Sequence, residues 1–188
     1  MKKLLHVGCG RKRSDLLPGI FKEYEEIRLD IDLNVEPDIC CSMTNIVSQN
    51  STYDALFSQH NLEHLHSFDV LPALIEFKRV INDIGFVYIK VPNLEYVATL
   101  ILEGKLMDTF YESEAGPITA LDVIYGYRPM SYKNEFMFHK TGFTLDTLLK
   151  ISQMAGFILI TGRKTLTDIE IIATKTDKIN LQEILEKL

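Results

Sequence analysis

The sequence predicts an α/β protein: a doubly wound, mostly parallel seven-stranded sheet that ends in an antiparallel C-terminal hairpin. Three observations carry this reading. Apolar runs of strand length alternate with segments of helical spacing, which is the pattern of parallel strands joined by crossover helices. The first run breaks at two closely spaced glycines, Gly8 and Gly10. The last two runs are separated only by Lys164-Thr165-Leu166, too short for a parallel crossover, so they pair antiparallel.

Taken in order, strand-like runs fall at residues 3–8, 26–31, 37–41, 53–58, 84–91, 157–163 and 167–174. Between the first two, Pro18 and Gly19 interrupt residues 11–25, so the helix expected there is short or broken. From Ser67 to Val80, Val70, Leu71, Leu74, Phe77 and Val80 recur at helical spacing, and Ser67 is placed to cap the start. Asn82-Asp83-Ile84-Gly85 reads as the turn that follows. Leu94–Leu102 is a second helix, stopped by Gly104. Thr144–Ala155 is a third, with Leu145, Leu148, Leu149, Ile151 and Met154 on one side and Gly156 closing it. The tail, Asn180–Leu188, has the spacing of a short amphipathic helix.

A chain of 188 residues with 46% hydrophobic and 24% charged residues suits one folded domain over residues 1–188. A net charge of −6 disfavours long nucleic acid as a partner, because such binding needs clustered Lys and Arg; Arg11, Lys12 and Arg13 form only a local basic patch. Cys9, Cys40 and Cys41 show no metal-ligand spacing and suit a reducing compartment, where they are expected as small buried residues. No apolar stretch has the length of a signal peptide or membrane span, so cytoplasmic residence without a membrane partner is expected. Residues 105–140 are rich in Tyr, Pro, Gly and Met, and a segment that long outside the alternation reads as an inserted lid or substrate-binding segment. Its aromatics, including Tyr125, Tyr132 and Phe136, suit either a substrate pocket or packing beneath a loop. The oligomeric state is not encoded in any motif.

An apolar strand that breaks at Gly8 and Gly10, followed one βαβ unit later by a strand ending in Asp30, is how an open sheet holds an adenosine. Glycine lets the backbone approach a ligand, and the carboxylate accepts from both ribose hydroxyls. Asp32 competes for that role, but the apolar run Ile27–Leu29 stops at Asp30. The plain alternative is that both acids simply end a strand.

These residues, together with Tyr53-Asp54-Ala55-Leu56-Phe57-Ser58, His60-Asn61-Leu62-Glu63-His64-Leu65, Glu76-Phe77-Lys78-Arg79-Val80 and His139-Lys140-Thr141-Gly142-Phe143, resemble the class I S-adenosylmethionine-dependent methyltransferases, especially the small type 11 kind. The resemblance covers most of the chain. It implies S-adenosylmethionine as cofactor, with Gly8 and Gly10 against its methionine part and Asp30 on the ribose. It further implies Ser42 and Met43 beside the adenine, and His60 near the sulfonium and a small-molecule or side-chain substrate. The chain departs from the family at Lys12, where many members carry a third glycine, and at Ser42, where an acid is common.

Methyl transfer from a sulfonium is an in-line displacement, so the protein chiefly aligns the reactants and excludes water. A base helps only when the acceptor carries a proton. His60, His139 and Tyr125 are the candidates for that role, with His64 behind them. His60, Glu63 and His64 also spell H-x-x-E-H, a zinc-hydrolase signature that requires one continuous helix through both histidines. Because the motif follows a strand directly, no metal ligand is assigned. Two further readings stay open: a methyltransferase-like binding module without activity, and a nicotinamide-dependent oxidoreductase, whose third glycine position holds Arg13.

Overall fold

The computed structural model describes residues 1–12, 17–131 and 134–186, so Arg13 and Tyr132 lie outside it. Seven strands form one sheet: β1 (Lys3–Val7), β2 (Glu25–Asp30), β3 (Ile39–Cys40), β4 (Tyr53–Gln59), β5 (Ile81–Pro92), β8 (Leu159–Lys164) and β9 (Asp168–Thr174). Their order is β3-β2-β1-β4-β5-β9-β8. The first five pair parallel, and β9 runs antiparallel between β5 and β8. The sheet is the one the sequence predicts.

Alternation along the strands sorts side chains to two faces. Leu5 and Val7 of β1, Val87, Ile89 and Val91 of β5, and Ile169, Ile171 and Ala173 of β9 share one core with α1 (Ser67–Val80) and α5 (Leu145–Met154). Leu4, Ala55, Phe57, Phe86, Tyr88 and Ile172 face the other way. That second face is covered not by long helices but by a 3-10 turn, Gly19–Phe21, and by α6 (Leu181–Leu185). Among the described residues between β1 and β2 the regular helical structure is that 3-10 turn, and fully buried Phe21 stacks on Phe86 with ring centroids 5.9 Å apart.

Three local expectations change. The N-cap of α1 is His66 rather than Ser67, because the Asp69 amide already donates to the His66 carbonyl (2.9 Å). Met154 is exposed, since Leu148, Ser152 and Ala155 form the inward face and a residue two positions after Ser152 falls on the opposite side of the helix. Residues 82–85 are an irregular stretch inside β5 rather than a turn before it: Tyr53 pairs with Ile81 and Ala55 with Phe86, so β5 absorbs the extra residues as a bulge.

Within residues 105–140, β6 (Thr109–Ser113) and β7 (Gly116–Thr119) make an antiparallel ribbon, followed by α3 (Ala120–Tyr125) and α4 (Arg128–Ser131). The ribbon and α3 pack on α2 (Leu94–Leu102) around Val97, Leu100, Ile118, Ala120 and Val123, a third apolar cluster apart from both sheet faces. Among the described residues, no helix is long and apolar enough to cross a membrane.

Candidate active site at the carboxyl edge of the sheet

Parallel strands place their carboxyl ends along one edge, where crossovers leave a crevice. A cavity of about 370 Å³ opens there. Gly8, Gly10, Asp30, Ser42, Met43 and His60 all line it, so residues from the ends of β1, β2, β3 and β4 meet in one space. The volume falls within the roughly 300–1,000 Å³ of small-molecule sites.

The glycine turn is held from three sides. Gly8 (φ 63°) and Gly10 (φ 57°) adopt left-handed backbone that only glycine enters without strain. A Cβ on Gly8 would fall 1.8 Å from Asn61 Oδ1, because the Asn61 amide crosses the turn to donate to the Val7 carbonyl (2.7 Å). A Cβ on Gly10 would meet nothing within 4 Å, so the space above it is open. Buried Arg28 donates to the carbonyls of Gly10, Val35 (3.0 Å) and Glu36 (2.7 Å), tying the turn to the loop after β2.

Asp30 accepts from the Gly10 amide through Oδ2 (2.9 Å) and from the Asp32 amide through Oδ1 (2.9 Å). A carboxylate has about four lone-pair sites, so roughly one on each oxygen remains for a ligand. Asp32 also borders the cavity, but its Oδ1 is engaged by the amide and side chain of Asn34, where it caps the 3-10 turn Leu33–Val35. Each acid thus accepts two hydrogen bonds, Asp30 one on each oxygen and Asp32 both on Oδ1.

His60 follows β4 directly in left-handed backbone (φ 52°), strained for a histidine. Its ring stands between two carboxylates: Nδ1 is 3.5 Å from Glu63 Oε1 and Nε2 is 3.3 Å from Asp168 Oδ1. Burial pushes its pKa down, but Glu63 and then Asp168 outweigh this and raise it. Lys90 neutralises Asp168 from the other side (3.2 Å). Burial pushes the Glu63 carboxyl up, yet His60, His64 and His139 around it bring it below the ordinary value.

His139 and Tyr125, expected as catalytic candidates, do not line this cavity. His139 sits behind it, with Nδ1 2.8 Å from the Val123 carbonyl and its ring 4.8 Å from that of His64. Tyr125 is 58% exposed, and its carbonyl accepts from the His139 amide (3.2 Å), because α3 turns its last residue outward. Nor does a helix run through His60 and His64: a 3-10 turn, Leu62–His64, follows the strained His60, so the two imidazoles do not share a helical face as the zinc signature needs. Two of the three cysteines also differ from expectation. Cys9 is buried, and burial pushes its thiol up to about 11, whereas Cys40 is exposed and Cys41 borders the cavity. A two-residue β3 at the sheet's edge is too short to bury both neighbours.

Sequence reasoning did not single out Asn61, Asp168, Lys90 or Arg28. A signal for Asp168 was present, since two acids inside the apolar run Asp168-Ile-Glu-Ile-Ile-Ala-Thr are costly unless partnered, and all seven residues are buried. Glu170 finds Arg163 (2.8 Å) and Asp168 finds Lys90.

No protein-family model matches the chain, and no curated protein matches it in sequence. Solved structures do. An S-adenosylmethionine-dependent methyltransferase from Archaeoglobus fulgidus superposes with a TM-score of 0.62 at 16% identity, over 93% of this chain and 86% of that one. A methyltransferase from Methanosarcina mazei gives 0.61 at 15% identity over 92% of each. The 1,6-didemethyltoxoflavin N1-methyltransferase of Burkholderia thailandensis, solved with its substrate and S-adenosylhomocysteine, gives 0.56 at 16% identity, over 94% and 72%. With the strand order and the antiparallel β9 between β5 and β8, these matches establish that the chain has the small Rossmann-like fold of the class I S-adenosylmethionine-dependent methyltransferases.

Proposed function

We propose that this chain is an S-adenosylmethionine-dependent methyltransferase whose acceptor, a small molecule or a side chain, sits beneath residues 105–140. The observation that carries the reading is the convergence of Gly8, Gly10, Asp30, Ser42, Met43 and His60 on one cavity. The residues fit the cofactor. Open space above Gly10 leaves room for a ligand against the backbone, and Asp30 keeps acceptor capacity for two ribose hydroxyls. Leu29, Ile31, Val35 and Met43 supply apolar walls for a base. When bound, the cofactor supplies an electrophilic methyl on a sulfonium.

The chain's own part is alignment and proton handling. Asn134, Phe136, Met137 and Lys140 close the cavity on the side of the 105–140 segment and would exclude water from the acceptor. His60 is the group placed to take a proton from an acceptor, with Glu63 and Asp168 stabilising the imidazolium that results. His139 and Tyr125, outside the lining, are set aside as direct bases.

Calorimetric titration with S-adenosylhomocysteine tests the reading. Binding in the micromolar range, weakened about tenfold or more by Asp30→Ala through loss of roughly 1.5–3 kcal/mol of charge-assisted hydrogen bonding, is the expected outcome. A folded protein that shows no heat at millimolar ligand is instead a binding module, and the enzyme reading fails.

A further inference from the structure

Glu63, which stands beside His60, also belongs to a second cluster whose histidines, His64 and His139, the proposed methyl transfer does not use. Glu63 is 1% exposed, and neither of its carboxylate oxygens accepts a hydrogen bond from the described residues. An ionised carboxylate buried without donors is costly, so something must compensate it. His60 Nδ1 stands 3.5 Å from Oε1, too far for a normal hydrogen bond, and two further imidazoles complete a group in which Glu63, His64 and His139 each present one ligand atom, all within 4.8 Å of one another.

Each of the two histidines has its Nδ1 tied to a backbone carbonyl. His64 Nδ1 lies 3.0 Å from the Phe138 carbonyl and His139 Nδ1 lies 2.8 Å from the Val123 carbonyl. A carbonyl only accepts, so each Nδ1 carries a proton, which in the neutral ring leaves the Nε2 lone pair for a metal. Neutral imidazole with Nδ1–H tied to a backbone carbonyl is the state in which histidine binds a metal. The frame is stiff as well. The amides of Lys140 (2.8 Å) and Thr141 (3.2 Å) both donate to the Glu63 carbonyl, clamping the loop that bears His139 onto the turn that bears Glu63 and His64.

We infer that Glu63, His64 and His139 form a binding site for a divalent first-row transition-metal ion. Two imidazole nitrogens with one carboxylate suit Zn²⁺, Mn²⁺, Fe²⁺ or Co²⁺ over the oxygen-seeking Mg²⁺ and Ca²⁺. The set is not the H-x-x-E-H signature, since His139 replaces His60 and comes from the far end of the 105–140 segment. Ligand atoms at 2.0–2.2 Å from one ion lie about 3–4 Å apart, so small side-chain rotations close the present spacing. Three protein ligands leave at least one coordination position open. His64 also lines the cavity, which places that position toward the acceptor; this last step rests on the methyltransferase reading, whereas the metal site does not.

The test uses the whole chain, stripped with chelator and titrated with Co²⁺ without any cofactor. A 1:1 complex with visible d–d absorbance, displaced by Zn²⁺, is expected. Glu63→Gln, His64→Gln and His139→Gln should each weaken it by at least the roughly 10–100-fold that loss of a ligand's supporting partner costs. His66→Gln, an exposed histidine stacked on Phe68, should leave it unchanged. Wild-type protein that leaves Co²⁺ with the spectrum of the free aqua ion at millimolar concentration overturns the site, whatever the variants do. So does binding that survives all three substitutions with circular dichroism intact. Because the readout involves neither cofactor nor methyl transfer, its failure leaves the cofactor titration standing, and the converse also holds.

Discussion

At Gly8 and Gly10 two residues with nearly the same left-handed backbone carry different burdens. Gly8→Ala adds about 1–2 kcal/mol of backbone strain and drives its Cβ into Asn61, whose buried hydrogen bond to Val7 costs a further 1–3 kcal/mol when broken. Gly10→Ala pays about 1–2 kcal/mol of strain alone, because its Cβ enters open space. Urea denaturation should therefore rank Gly8→Ala clearly below Gly10→Ala in stability. The contrast reverses for ligand: Gly10→Ala, although folded, should lose S-adenosylhomocysteine affinity, since the methyl occupies the space above the turn. Equal midpoints for the two variants would refute this division. The glycines and Asp30 were legible because each ends a strand. Asn61 and Arg28 were not, since nothing local in the sequence reveals that their side chains reach back to Val7 and Gly10.

Among the elements, the caps show how polar residues place the 105–140 segment. Thr119 and Asp122 form a capping box at the start of α3, and Arg128 at the head of α4 donates to Asp122 Oδ1 (2.7 Å). Burial pushes the Asp122 carboxyl up, but hydrogen bonds from Arg128 and Thr119 outweigh it and hold it well below the usual carboxylate range. Because its folded value lies below its unfolded value of about 3.9, the stabilisation is complete above that pH and is lost as pH falls through the lower folded value. Amide exchange across residues 118–128 should therefore speed up on acidification from pH 5 to pH 2 beyond the intrinsic trend. Asp122→Asn should exchange faster at pH 5 and lose most of the pH dependence. Unchanged protection in that variant would show that the box does not hold α3. The helices themselves were readable because apolar spacing of 3.6 is a local property. The ribbon β6–β7 was not, since its residues show no clear alternation and its order depends on packing against α2.

Over the whole molecule, the 105–140 segment spans two structures, contributing Asn134, Phe136, Met137 and Lys140 to the cavity while packing its own apolar cluster on α2. Phe136, which lines the cavity, remains 40% exposed, apolar surface that a bound ligand would cover. Limited proteolysis should accordingly cut within residues 130–140 in free protein and slow severalfold with saturating S-adenosylhomocysteine. Identical cleavage with and without ligand would show that the segment is no lid. The order of elements, the glycine break, the acid ending β2 and the antiparallel hairpin were all determined by the sequence, because periodicity, turn residues and connection length act over a few neighbours. Only the tertiary structure decided that Asp168 faces His60 across β5, and that His139 meets Glu63 and His64. Those residues are brought together by crossovers and by sheet register, and spacing along the chain does not encode which side chains then share a cavity wall.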